Sequence, residues 1–91
     1  MKLQFKHPFI IEYEDKDYNG EFADLTRKQV KQFEKQYKGK EVTDDEIIKE
    51  RLLLSISGDD KDAIMAIGET YNYQSIFDTI IQDIGERKAK N

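Results

Sequence analysis

The spacing of apolar residues changes once along the chain, and the change divides it into two kinds of structure. Leu3 and Phe5 alternate with Lys2, Gln4 and Lys6, the two-residue period of a half-buried strand. Phe9, Ile11 and Tyr13 alternate with Ile10 and Glu12 in a second run. His7-Pro8 separates the two, because proline brings no backbone donor to a ladder. Glu14-Asp15-Lys16-Asp17 is polar and reads as a turn, after which Tyr18 and Phe22 carry a returning strand. The chain reverses either at Asp15-Lys16 or at Asn19-Gly20, the dipeptide that favours a type I′ turn. The preferred arrangement places the turn at Asp15-Lys16 and makes Asn19-Gly20 a bulge.

After residue 25 the period becomes three to four. Thr26 with Gln29 forms a capping-box pattern, and Leu25 can staple onto Val30. This helix is expected to bury Val30, Phe33 and Tyr37 and to stop at Gly39. Thr43 with Glu46 repeats the pattern, Val42 can staple onto Ile47, and Asp44, Asp45 and Glu46 place negative charge at the positive end of the helix dipole. Ser57-Gly58 ends the second helix. A third starts at Asp59 or Asp60 and buries Ile64, Ile67 and Tyr71, with Gly68 between them leaving room for another backbone. A fourth follows Asn72-Tyr73-Gln74, with Ser75 as its cap. Its apolar stripe is Ile76, Phe77, Ile80, Ile81 and Ile84, and Gly85 with the residues beyond it frays. The expected fold is a single α+β domain over residues 1–91. It has a β-hairpin region at 1–25, three to four short helices within 26–86 and a frayed tail at 87–91.

The second helix departs from simple amphipathicity. At 100° per residue Ile48, Leu52 and Ile56 share one side, Ile47 and Leu54 take nearly the opposite one, and Leu53 lies between. A helix that is apolar all round is normally buried, so a central core helix is the expectation. The competing reading is an exposed face that meets a partner. On that reading Ile47, Leu53 and Leu54, with the aromatic group Tyr71, Tyr73 and Phe77, are the candidate partner-binding residues.

Composition narrows the function classes. Of 91 residues 37% are hydrophobic and 37% charged, which is polar for a globular chain yet rich enough in Ile, Leu and aromatics to fold. There is no cysteine, hence no disulfide and no thiolate. No apolar run approaches the ~20 residues needed to cross a bilayer, and the N-terminus lacks a signal-peptide pattern, so a cytoplasmic protein is expected. Net charge is −4, but it is segregated: residues 26–40 carry +5 between acidic segments of −3 (1–25) and −5 (41–62).

Candidate chemistry is sparse. His7 is the one histidine and stands beside Pro8; Ser55, Ser57 and Ser75 occupy cap-like or late-helix positions; no Gly-rich phosphate loop is present. No catalytic set, and no cofactor, is expected. Asp15-Lys16-Asp17-Tyr18-Asn19-Gly20-Glu21-Phe22 has the spacing of the first eight positions of an EF-hand loop, with Asp15, Asp17 and Asn19 as oxygen ligands. Position twelve is Thr26 where a bidentate Glu belongs, and a strand precedes the loop in place of a helix. An acidic hairpin turn is therefore the preferred reading, and calcium binding the alternative. Lys28, Lys31, Lys35 and Lys38 fall within about 80° on the first helix, opposite Val30, Phe33 and Tyr37. That stripe can neutralise phosphates, but with acidic flanks it reads first as a solvated face, and nucleic-acid binding is a further alternative.

The order of these features resembles the tail assembly chaperones of Mu-like prophages. The residues that carry the likeness are Leu3, Phe5, Pro8, Ile11-Glu12-Tyr13, Asp15-Lys16-Asp17-Tyr18 and Leu25-Thr26-Arg27. They lie within the first thirty residues; Lys16 stands where the family's turn usually carries Gly, and the helical part matches in general character. The resemblance implies a cytoplasmic, non-enzymatic protein that binds a tape-measure or other tail protein while a tail is built. It implies neither cofactor nor active site.

Overall fold

A computed structural model describes residues 3–90. Strand β1 (Lys6–Tyr13) pairs antiparallel with β2 (Lys16–Ala23), helices α1 (Arg27–Tyr37) and α2 (Asp44–Ser55) follow, and a two-residue strand β3 (Ile56–Ser57) adds to the far side of β2. Helices α3 (Lys61–Thr70) and α4 (Tyr73–Lys90) complete an α+β fold. The sheet turns one face to the helices: His7, Phe9 and Ile11 are buried while Pro8, Ile10 and Glu12 between them are exposed. Against that face pack Phe22, Leu52, Ile56, Ile64, Tyr73, Ile76, Ile80 and Ile84, the core of the domain.

The hairpin closes at Glu14-Asp15, whose φ of 50° and 61° are those of a type I′ turn, one residue earlier than the turn expected at Asp15-Lys16. Asn19 and Gly20 form neither turn nor bulge. They lie in uninterrupted register opposite Ile10 and Phe9. Gly20 is needed there because the Phe9 ring crosses it: a Cβ would come within 2.8 Å of that ring and 3.1 Å of the Ser57 carbonyl.

Pro8 does not divide β1. The Asp24 amide donates to the Phe5 carbonyl, which fixes the alternation of the ladder and points the backbone nitrogens of Pro8, Ile10 and Glu12 away from β2. Proline therefore costs the sheet no hydrogen bond. Leu3 and Phe5, expected to begin a half-buried strand, precede β1 and are exposed, Leu3 at 83%; Met1 and Lys2 lie outside the described residues.

Two carboxylates from the helical part seal the hairpin. Asp83 of α4 accepts from the outward amide of Ile10 (2.9 Å), and Asp60, at the N-cap position of α3, accepts from the outward amide of Asn19 (2.7 Å). Ile10 and Asn19 are direct partners in the register, so one rung of the sheet is held from both sides.

The helix caps follow the sequence closely. Thr26 and Gln29 complete a reciprocal capping box on α1, and Thr43 accepts from the Glu46 amide on α2. In α4 the cap moves: the helix begins at Tyr73, Asn72 accepts from the Ser75 amide, and Asp45 of α2 accepts from the amides of Tyr73 and Gln74. The tail expected to fray is helical through Gly85 to Lys90, with an Arg87–Asp83 ion pair at 2.8 Å on it. In α3, Ile64 is buried and Ile67 half-buried, whereas Tyr71 caps the helix and is 64% exposed. The space left by Gly68 takes the ring of Tyr73 and not a backbone.

Candidate functional site

Helix α2 is not a central core helix. Leu52 and Ser55 are buried and Ile48 packs against the core, but Leu53 and Leu54 face outward at 38% and 52% exposure. The inward side is secured by polar contacts. Arg51 places its guanidinium over the rings of Phe22 (5.6 Å) and Phe77 (6.0 Å), and Lys61 donates to the Leu53 carbonyl at the helix end. By helical geometry Ile47, Leu53 and Leu54 share the outward arc with Glu46 and Glu50, and no cation lies among them.

The three aromatics expected to form one cluster are dispersed. Tyr73 is a core residue, its hydroxyl donating to Glu69 at 2.5 Å, so it is not available to a partner as the sequence reading proposed. Burial, then the bonded Glu69, pushes its pKa up to about 12. Phe77 is half-buried, edge-on to Phe22 at 6.0 Å. Tyr71 is the exposed member. It meets Tyr13 at the end of β1, which was not among the candidate partner-binding residues: the rings are edge-to-face at 6.1 Å and the Tyr13 hydroxyl donates to that of Tyr71 at 3.0 Å. This bond first, then burial and Glu14, raises the Tyr13 pKa to about 12.

Below this pair lies a groove of about 380 Å3 between β1, the end of α3 and the first half of α4. Ile11, Ile67 and Ile76 form its apolar part; Glu12, Asn72, Ser75 and Thr79 form its polar part. It exists because α3 ends at Thr70 and α4 sets off from Tyr73, leaving the α3–α4 corner open against β1. The alternation in β1 and the stripe of α4 each hinted at one wall. Nothing in the sequence joined them.

The other candidates do not converge. Asp15 lies in the turn, while Asp17 and Asn19 lie on β2, about 7 Å apart at ~3.3 Å per residue. A cation draws its oxygens to within ~2.6 Å of one point. Among the described residues no group of three His, Cys, Asp or Glu is placed to hold a metal ion. His7 is buried with Nε2 at 3.2 Å from Asp24, and no serine, threonine or lysine bonds to it among the described residues. It anchors β1 to the segment after β2. Lys28, Lys31 and Lys35 on α1 and Lys38 at its C-cap are all exposed, and no helix among the described residues is long and apolar enough to cross a membrane.

Helix α1 differs most from expectation. It buries none of its residues: Val30 is 39% exposed, and Phe33 and Tyr37, rings 5.0 Å apart, are only half-covered. Its tip approaches α2, where partial burial and the nearby Glu50 and Glu46 carboxylates raise the Tyr37 pKa.

Comparison with known proteins gives no match to a family model, to a curated sequence or to a solved structure.

Proposed function

We propose that this is a non-enzymatic protein-binding module whose working site is the groove between β1, α3 and α4. The observation that carries the reading is an apolar cleft of about 380 Å3 kept open at the surface of a chain that is otherwise densely charged. Its mouth is framed by two tyrosines, side chains that give a large contact area for little lost side-chain freedom. Glu12 lines the cleft and Glu14 stands beside Tyr13, so the ligand that suits it is an apolar segment flanked by lysine or arginine.

Within that class, the reading that also accommodates the order of features in the first thirty residues is a tail assembly chaperone, with an apolar stretch of a tape-measure or other tail protein as the occupant. Genes for tail proteins on either side of this one support that setting; ribosomal or metabolic neighbours overturn it. The binding site itself is tested by NMR titration of the full chain with an apolar, lysine-flanked peptide. Shift changes centred on Ile11, Tyr13, Ile67 and Tyr71, abolished by Tyr71→Asp, are expected. Tyr71 is exposed, so that variant keeps the fold. Shifts that avoid the groove, or survive the substitution, refute the assignment.

A further inference from the structure

Strand β1 pairs with β2 on one side and with no strand on the other. Lys6, Pro8, Ile10 and Glu12 point their backbone groups off that free edge. A new strand bonds there through a residue whose amide and carbonyl are both available, and three of the four positions fail that condition. The Gln4 side chain donates to the Lys6 carbonyl, Pro8 has no amide hydrogen, and the Ile10 amide is bonded to Asp83. Glu12 is the exception. It is exposed, and among the described residues neither its amide nor its carbonyl has a partner. The one open position also lines the groove, between Ile11 and Tyr13. Resting on the groove reading above, we infer that the groove takes its ligand as an added strand, an extended peptide paired antiparallel with β1 through Glu12.

Pairing at this point fixes the pattern of the ligand. The residue opposite Glu12 exchanges two backbone hydrogen bonds with it and turns its side chain to the same exposed face. A lysine or arginine there stands directly across from the Glu12 carboxylate. Its two neighbours turn the other way, beside Ile11 and Tyr13, toward the apolar part of the groove. The segment that fits is therefore apolar, basic, apolar in an extended conformation. A helical ligand does not fit, because its backbone groups are bonded internally and leave Glu12 unpaired. Nor does a second copy of this chain, since two β1 edges joined through their open residues set Glu12 against Glu12. Asp17, the partner of Glu12 in the register, is open in the same way at the opposite edge but does not line the groove. It serves as an internal control.

The test is NMR titration of the full chain with a blocked synthetic peptide centred on Ile-Lys-Ile and with two N-methylated forms of it. Methylating the nitrogen of the central lysine removes the donor to the Glu12 carbonyl, and a loss of affinity of about tenfold is expected. Methylating the nitrogen of the next isoleucine blocks an amide that points away from β1 and is expected to leave affinity nearly unchanged. On binding of the unmodified peptide the Glu12 amide proton should move downfield while that of Asp17 stays in place. Groove shifts with equal affinity for the two methylated forms, or with an unmoved Glu12 amide, overturn the added strand and leave the groove as the binding site. Shifts nowhere in the groove overturn both. A Glu12 amide that moves with protein concentration alone, before any peptide is added, puts a second copy at this edge and overturns the inference as well.

Discussion

Gly68→Ala separates two effects of opposite sign. In the interior of a helix the change gains about 1 kcal/mol of helix propensity. At this position the added Cβ lands 2.6 and 2.7 Å from two carbons of the Tyr73 ring, where about 3.5–4.0 Å is the comfortable separation. The ring must therefore retreat by roughly 1 Å, yet its hydroxyl is bonded to Glu69 and its backbone amide to Asp45. Overpacking of this kind costs about 1–3 kcal/mol, at the upper end where the neighbour is tethered. The net expectation is a loss of about 1–2 kcal/mol, a fall in Tm of roughly 5–15 °C for a domain of this size. Thermal and urea unfolding followed by circular dichroism reads it, with an unchanged urea m-value showing that only stability moved. Gly85→Ala is the control, since its Cβ would meet nothing within 4 Å, and it should raise stability by about 0.5–1 kcal/mol. Equal stabilisation by both substitutions would show that the Tyr73 ring does not lie over Gly68. In a Tyr73→Leu background the Gly68→Ala penalty should shrink.

Two other expectations concern polar groups. Tyr13 and Tyr73 hold their protons up to about pH 12 when folded, above the ordinary value of 10, so the native state binds more protons than the unfolded chain in between. Their contribution to stability is fully present below pH 10 and is lost as pH rises toward 12; denaturation midpoints measured from pH 9 to 12 should fall, and Tyr73→Phe should flatten that fall. Asp45→Ala removes the acceptor for the Tyr73 and Gln74 amides at the start of α4 and is expected to cost about 1–2 kcal/mol in urea unfolding, with Asp45→Asn recovering part of it.

The features legible in the sequence were those set by neighbours in the chain. Thr26 and Thr43 cap where their spacing to Gln29 and Glu46 places them, and Phe9, Ile11, Ile76, Ile80 and Ile84 are buried as their periods require. The rest depended on partners distant in sequence. Asn19-Gly20 carries strong local turn chemistry, but the Phe9 ring across the hairpin fixes Gly20 in a strand. Pro8 looks like a breaker until the register shows its nitrogen pointing off the edge. Periodicity showed that α1 has an apolar face and α2 has two. It contained nothing to say that the first face is only half-covered or that only one side of α2 is buried. The groove escaped for the same reason, since Tyr71 was visible as an aromatic but Tyr13 faces it across 58 residues.

The clamped rung has a consequence for the order in which the chain is secured. Asn19 waits for a group 41 positions downstream and Ile10 for one 73 positions downstream. The hairpin emerges before the helices during synthesis yet is locked by them, its open margin able to recruit stray strands until α4 is complete. A chain truncated before Asp83 should therefore keep every residue of the hairpin and still clump, because what restrains the opening segment is supplied by the closing one.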